Sequence, residues 1–187
     1  MIAVYVIIGI VAILLIFFIA TYNSLIRLRN QVKNAWAQID VQLKRRHDLI
    51  PNLVETVKGY MKHERETLEA VTKARNLAQQ LASGGVGDRS KAESELSGAL
   101  ARLLAVVENY PDLKANQNFL ALQEELTSTE NKISFSRQYY NDSVLRLNNK
   151  VQMFPSNIIA SMTGFKQGEL FEISVAEERE APKVSFP

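Results

Sequence analysis

The hydrophobic pattern of the chain changes once, shortly after residue 20. Residues 2–20 read IAVYVIIGIVAILLIFFIA without a charge, and the first charged side chain is Arg27. A helix of this length spans roughly 28 Å at about 1.5 Å per residue, close to the roughly 30 Å hydrocarbon core of a bilayer. Because only a helix satisfies its own backbone groups in lipid, the pattern predicts a transmembrane anchor within residues 1–26.

Beyond the anchor, apolar side chains recur every three to four residues, which is the period of an amphipathic helix. One series has members seven residues apart and is broken by Arg46: Leu25, Val32, Ile39, Leu53 and Tyr60. A second series extends the same face: Trp36, Leu43, Ile50, Val57, Val71 and Ala78. Together they predict a buried stripe in which Trp36 is a core residue.

The predicted fold class is all-α: an N-terminal transmembrane helix followed by an elongated antiparallel bundle of three to four long helices. The bundle is expected at residues 27–165, with helices at residues 22–48, 52–82, 90–109, 112–152 and 156–162. Pro51 predicts a kink or short break at residues 47–51, because proline lacks the N–H that an internal helix position donates. Three glycines within residues 83–88 predict a loop.

The last segment, residues 166–187, is predicted to be an extended tail. Within it Phe171, Ile173 and Val175 alternate with polar residues, which is the period of an extended strand. The tail also carries five glutamates from Gly168 onward against two basic residues, Arg179 and Lys183.

A cleavable signal peptide is the main alternative for residues 2–20. Signal peptides begin with a basic region, have an apolar core of about 7–15 residues and end in a small-residue cleavage site. Here no basic residue precedes the run, and bulky Phe18 lies just before the best cleavage point, after Ala20. We therefore expect an uncleaved anchor. The absence of cysteine excludes attachment through a lipidated cysteine.

Positive charge beside the anchor predicts its orientation. Arg27, Arg29 and Lys33 follow the apolar run and no Lys or Arg precedes it. Because positively charged flanks stay in the cytoplasm, we expect a single-pass protein of the cell (inner) membrane. Its N-terminus would lie outside and its helical domain in the cytoplasm.

The net charge of only +2 argues against a nucleic-acid partner. The charge is nevertheless uneven, since residues 27–46 contain six basic side chains and one acid, Asp40. Two interpretations stay open for this basic stretch. It can bind anionic lipid headgroups, at about 1 kcal/mol per residue near the surface, or it can form the solvated face of a helix.

Candidate chemistry is sparse. His47 is followed by proline four residues later, and the chain has no room for an ATP-binding domain, so a kinase phosphoacceptor is not supported. His63 and Glu64 do not open a zinc-binding H-E-x-x-H motif, because Thr67 occupies the position of the second histidine. With two histidines and no cysteine, we predict no catalytic, cofactor-binding or metal-binding residues and no cofactor.

Several short stretches resemble the LemA family of single-pass bacterial membrane proteins. The strongest is AWAQIDVQLKRRHDLIPNLV at residues 35–54, which is long enough to be specific. Others are residues 22–23, 29–30, 57–60, 63–64, 110–116, 122–123, 129–131, 140–141, 154–155 and 164–165, with Ile133, Arg137 and Phe171. The resemblance covers essentially the whole chain. It implies a short outer N-terminus, one anchor and a cytoplasmic helical bundle, and it implies no settled activity.

The favoured function is a non-enzymatic, membrane-anchored helical scaffold that self-associates as a homo-oligomer in the lipid bilayer. This hypothesis treats residues 25–43 as a membrane-proximal apolar stripe that neighbouring protomers cover. The alternatives are an adaptor or regulator of a membrane enzyme, such as a protease or envelope-synthesis protein, and a membrane-reshaping protein. The identity of a membrane-protein partner does not follow from the sequence.

Overall fold

The computed structural model describes residues 1–61 and 63–171, and these residues fold almost entirely as helix. The helices are α1 (Ile2–Lys58), α2 (Arg65–Gln80), α3 (Val86–Val107), α4 (Pro111–Lys114), α5 (Gln117–Gln152) and α6 (Ser156–Met162). A 3-10 turn, Leu81–Ser83, follows α2. The described residues contain no strand, so the all-α prediction is confirmed. Of the predicted extended tail, residues 172–187 lie outside the described range.

Of the predicted kink or short break at residues 47–51, the break is wrong, because α1 continues through Pro51 to Lys58, and the kink stays a prediction. Proline cannot donate to the carbonyl four residues before it, which here belongs to His47. The Nε–H of Arg75, from α2, donates to that carbonyl oxygen at 2.8 Å. A side chain from a neighbouring helix thus supplies the hydrogen bond that Pro51 cannot make, and the helix carries on.

The chain turns after Lys58 instead, so the predicted helix over residues 52–82 is also wrong in its extent. The amides of Tyr60 and Met61 both donate to the carbonyl of Val57, at 2.9 and 3.0 Å, and close the end of α1. Gly59 lies at the start of this turn. Gly59 does not adopt a positive φ, so the hydrogen bonds to Val57, rather than a left-handed glycine, mark the end of the helix.

The predicted helix over residues 112–152 is divided into α4 and α5. The side-chain Oδ1 of Asn116 accepts hydrogen bonds from the amides of Asn118 and Phe119, at 2.9 and 3.1 Å. This is the geometry of an asparagine N-cap, which begins a new helix at the following residue. Likewise α3 begins at Val86 rather than near residue 90, directly after an extended Gly85.

The chain divides into two compact units. The first unit comprises Met1–Asp40 and Ser134–Leu170, and the second comprises Val41–Ile133 and, of the described residues after 170, Phe171. Within the first unit, α1 and α5 run antiparallel: Leu25 clusters with Leu147, and further along α1 Gln31 donates to the hydroxyl of Tyr139 at 3.4 Å. The anchor and tail boundaries at residues 26 and 165 stay predictions.

The second unit contains the larger apolar core. Its buried members come from five helices, α1 to α5, and include Leu53, Val71, Leu96, Leu113 and Phe119. Leucines and other large apolar side chains at helical spacing therefore pack as the pattern predicted. Short connections between α1, α2 and α3 make these helices sequential neighbours.

Candidate functional site

The apolar run at residues 2–20 is exposed along its whole length. Every large hydrophobic side chain from Ile2 to Ile19 is at least 36% exposed. Among the described residues, α1 is the one helix long and apolar enough to cross a membrane, with a mean hydropathy of 3.3 in its apolar window. Leaving such a surface in water is unfavourable by about 25 cal/mol per Å². The exposed run therefore fits a membrane location.

Burial begins immediately after this run, in the first unit. Thr21 is 4% exposed and Leu25 is fully buried. Leu25 belongs to an apolar cluster with Leu147 of α5 and with Ile159 and Ala160 of α6. Helix α1 therefore passes from a fully exposed apolar surface to a packed one within two helical turns.

An aromatic contact lies over the same region. The ring of Tyr22 meets Phe165 edge-to-face, with the ring centroids 6.2 Å apart. The guanidinium carbon of Arg29 lies 5.3 Å from the Phe165 centroid, in cation–π geometry. Phe165 follows α6, whose end is set by Gly164 at a φ of 73°. The segment after α6 is thus fixed against the part of α1 that follows the apolar run.

The hypothesis that residues 25–43 present an uncovered apolar stripe is wrong. Leu25, Ala35, Ile39 and Leu43 are all fully buried within the single chain. Trp36, predicted to be a core residue, is partly buried, and its ring centroid lies 5.2 Å from that of Tyr140. The chain's own helices cover this stripe, so neighbouring protomers are not needed to cover it.

The basic residues at positions 27–46 do not form one surface. Arg27, Arg29 and Lys33 are exposed in the first unit, where both interpretations made from the sequence still apply. Further along, Lys44 pairs with Asp48 at 2.8 Å and Arg45 pairs with Glu125, both at the surface. Arg46 is fully buried, so it neither binds headgroups nor forms a solvated face.

Arg46 lies at the centre of a buried ionic network in the second unit. Its guanidinium pairs with Glu93 of α3 and with Glu130 of α5, the latter at 2.7 Å, and it donates to the hydroxyl of Ser97 at 2.8 Å. The Nε2 of His47 lies 3.1 Å from the other Glu93 carboxylate oxygen. One arginine thereby joins α1, α3 and α5. Its signal in the sequence was the charge at an otherwise apolar heptad position.

The network keeps Glu93 ionised. Burial is the largest single influence and raises the Glu93 pKa, but the hydrogen bond from His47 and the charge of Arg46 together outweigh it. The pKa of Glu93 therefore lies below its usual value of 4.5. Arg46, His47 and Glu93 are each at most 5% exposed, so the ionised Glu93 carboxylate lies inside the second unit.

An open groove lies elsewhere in the second unit, between the end of α1 and α2, with a volume of about 970 Å³. Its apolar lining includes Val54, Met61, Leu68 and Leu77, and charged side chains of both signs surround it. The groove contains neither histidine. His63 is exposed, and Glu64 accepts a hydrogen bond from Tyr110 at 3.3 Å. Within residues 1–61 and 63–171, no three His, Asp or Glu side chains are grouped to hold a metal ion.

Comparison with known proteins identifies the family. Residues 35–186 match the model of the LemA family, which is most of the chain. The chain belongs to the LemA family. The matched range begins after the apolar run and includes α1 from residue 35 onward with every later helix of the structure. The resemblance inferred from the motif at residues 35–54 is confirmed.

Individual relatives of this LemA-family chain are distant. Protein LemA of Metamycoplasma hominis is 28% identical over 162 residues, covering 86% of this chain and 73% of the relative. Magnetosome protein MamQ 2 of Paramagnetospirillum magneticum is 26% identical over 183 residues, with 83% and 67% covered. For magnetosome protein MamQ of Magnetospirillum gryphiswaldense, the identity is 25% over 174 residues, with 80% and 64% covered.

Proposed function

We propose that this LemA-family chain is a non-enzymatic, membrane-anchored helical scaffold. The observation that carries the proposal is the exposed apolar run at residues 2–20, which continues in one helix into packed helical structure. A single helix of this kind holds the following residues close to a bilayer. The proposal assigns no chemical step to the chain; the helical units serve as surfaces for assembly.

The proposed orientation places the N-terminus outside and the helical units in the cytoplasm. Exposed Arg27, Arg29 and Lys33 support it, since basic residues beside a span favour the cytoplasmic side. Because the chain has no cysteine, single cysteines report topology cleanly. Gly85→Cys suits this purpose, since an added Cβ meets nothing within 4 Å, and Ile2 is 82% exposed at the other end.

Labelling intact cells with a membrane-impermeant maleimide tests anchor and orientation together. We expect Ile2→Cys to react in intact cells and Gly85→Cys to react only after the cells are permeabilised. Reaction of Gly85→Cys in intact cells would contradict the cytoplasmic placement. Recovery of either variant in the soluble fraction would contradict the anchor.

Self-association is the second part of the proposal, and it requires a surface other than the covered stripe. On α5, Phe135 is 73% exposed and Tyr139, one turn later, is 41% exposed. Aromatic side chains are common anchors at protein interfaces. These two residues lie in the first unit, which also contains the apolar run, so protomers side by side in one membrane can use them.

Disulfide crosslinking in native membranes tests this surface. We expect Phe135→Cys to give covalent dimers on mild oxidation, whereas Gly85→Cys, exposed in the second unit, serves as the matched control. The absence of Phe135→Cys dimers, together with a monomeric mass in detergent at micromolar concentration by light scattering, would rule out self-association through α5.

The groove between α1 and α2 favours a second candidate function, an adaptor for another membrane protein. Its apolar lining and mixed charges suit a helix or loop of a protein partner. A photo-crosslinking residue in place of Leu77, which lines the groove, distinguishes the two functions. Adducts with a foreign protein support the adaptor, whereas adducts only with this chain support the scaffold.

A further inference from the structure

The turn between α5 and α6 exposes an unusual number of large apolar side chains. Met153 is 62% exposed, Phe154 80%, Ile158 51% and Met162 72%. The turn itself is well fixed, because the hydroxyl of Ser156 donates to the carbonyls of Lys150 and Met153 at 2.7 and 2.9 Å. An ordered turn therefore holds this apolar tip, defined as Met153, Phe154, Ile158 and Met162, away from the core.

The position of the tip follows from the packing of the first unit. Helices α1 and α5 are antiparallel, and Leu147 clusters with Leu25. From Leu147 to Met153, α5 rises about 9 Å at 1.5 Å per residue. The same rise along α1 leads from Leu25 back to Ile19. Met153, where the apolar tip begins, thus stands level with the last turn of the apolar run.

Helix α6 turns back from this level toward the packed part of α1. Ile159 and Ala160 join the Leu25 cluster, and Phe165 reaches Tyr22. Residues 159 and 160 are therefore buried, whereas Ile158 and Met162 remain on the outer side of the same short helix. The apolar run and the apolar tip are two neighbouring apolar surfaces of one unit.

The charges of this region favour a lipid bilayer as the surface that the apolar tip contacts. Residues 1–39 and 143–168 contain no acidic side chain. They contain six basic residues: Arg27, Arg29, Lys33, Arg146, Lys150 and Lys166. Along α1 and α5, the five cations of these two helices lie on the packed side of the level that Ile19 and Met153 share. Apolar side chains at the depth of the acyl chains with cations at the depth of the headgroups match an anionic membrane surface.

We infer that the apolar tip of the α5–α6 turn inserts into the same membrane leaflet as the end of the anchor, as a second membrane contact. The inference rests on the proposed function, since it takes residues 2–20 to cross the bilayer. Two contacts restrict how the first unit tilts and rotates about its anchor. The unit is then held against the lipid surface in one orientation.

Depth-dependent quenching in vesicles tests the inference with the full chain. Single cysteines at Phe154, Leu14 and Gly85 are labelled with an environment-sensitive fluorophore. Leu14, which is 60% exposed, reports the anchor, and Gly85, exposed in the second unit with open space for an added side chain, is the water-exposed control. The vesicles contain phosphatidylcholine and phosphatidylglycerol, with either brominated acyl chains or iodide in the buffer.

We expect the labels at Phe154 and Leu14 to be quenched several-fold more by brominated lipid than by iodide, and the label at Gly85 to show the reverse. Lipid quenching at Leu14 with iodide quenching at Phe154 would overturn the inference and leave the anchor intact. Protection of Phe154 from both quenchers would also overturn it, because protein would then cover the tip. Iodide quenching at Leu14 would overturn the proposed anchor as well.

A second variant guards against an effect of the label itself. Replacing Met153 and Phe154 by serine removes exposed apolar surface only, so the fold is expected to remain. With the label at Met162, we expect the double replacement to reduce lipid quenching several-fold. Unchanged lipid quenching at Met162 would overturn the role assigned to Met153 and Phe154.

Discussion

Two regions of α1 depart in opposite directions from the usual arrangement of apolar residues inside and charged residues outside. Residues 2–20 are apolar and exposed, whereas Arg46, on the same helix, is charged and fully buried. A lipid environment explains the exposure of residues 2–20, because apolar side chains are stable in lipid without a protein partner. Two carboxylates explain the burial of Arg46, because Glu93 and Glu130, on other helices, pair with its guanidinium.

The difference shows that the environment of one region can be predicted from local sequence, whereas the environment of the other cannot. The surroundings of residues 2–20 follow from their own composition, since nineteen uncharged residues need only a bilayer. The surroundings of Arg46 depend on residues far away in the chain, which must be brought to it by the fold. Removing an ion from water costs several kcal/mol, so Arg46 is stable only where those partners are in place.

Deleting residues 2–20 is expected to have the largest effect of all these changes, and the effect should fall on membrane association. The protein should lose carbonate-resistant membrane association completely, because the deleted side chains are the apolar run itself. None of the 18-residue apolar window is buried against the protein, so the urea midpoint of the remaining helices should change little. Fractionation and far-UV circular dichroism measure the two outcomes. A truncated chain that stays in the membrane after carbonate washing would disprove the anchor.

Arg46→Ala is expected to have the largest effect on stability. It leaves Glu93 buried without its arginine, and breaking a buried ion pair in this way costs about 3–5 kcal/mol. Lys44→Ala is the matched control, since it removes an exposed ion pair that solvent screens, and it should change the stability far less. Urea unfolding in detergent, followed by far-UV circular dichroism, gives both values.

A paired replacement separates the charge from the packing. Arg46→Met combined with Glu93→Gln removes both buried charges and keeps similar volumes, so it should recover most of the stability lost in Arg46→Ala. Equal losses in Arg46→Ala and Lys44→Ala would show that the network contributes no more than a surface pair.

Low pH is expected to weaken the same network more gradually. Native Glu93 has a lowered pKa, whereas unfolded Glu93 takes up a proton near 4.5. Between these values the unfolded state binds more protons, so falling pH favours unfolding. The stability that Glu93 contributes is fully present above about pH 4.5 and is lost as the pH falls through the lowered native pKa.

The urea midpoint measured between neutral pH and about pH 3 checks this expectation. The midpoint should fall more steeply for the native chain than for Glu93→Gln, which has no proton to take up at this position. Parallel pH profiles for the two proteins would contradict the role assigned to Glu93.

The sequence predicted the anchor, the all-α class and most helical segments, because each depends on local composition or period. Leu25, Ile39 and Leu43 were correctly expected on a buried stripe. What covers the stripe could not be predicted, since α5 and α6 are distant in sequence. For that reason, the hypothesis that neighbouring protomers cover the stripe was wrong. Asparagine is a common N-cap residue, so Asn116 was a local sequence signal for a new helix. The prediction of one helix over residues 112–152 did not use this signal.

Pro51 illustrates the same limit on the scale of one hydrogen bond. The local rule that proline interrupts a helix is sound, because the carbonyl of His47 has no backbone donor from position 51. The donor that replaces it, Arg75 Nε, lies in α2 and becomes available only once α1 and α2 pack together. A tertiary contact therefore decides whether the helix breaks.

A double-mutant cycle between Arg75 and Pro51 should give the smallest effect and the sharpest test of this explanation. Arg75→Ala leaves the carbonyl of buried His47 without its donor, which costs about 1–3 kcal/mol. In the Pro51→Ala background, the new amide at position 51 can donate to that carbonyl, so the same replacement should cost clearly less. Lys73→Ala, exposed on α2, is the control for loss of a cation. Urea unfolding of the four proteins gives the coupling energy. If Arg75→Ala costs the same with proline or alanine at position 51, the two residues act independently and another contact must keep α1 continuous.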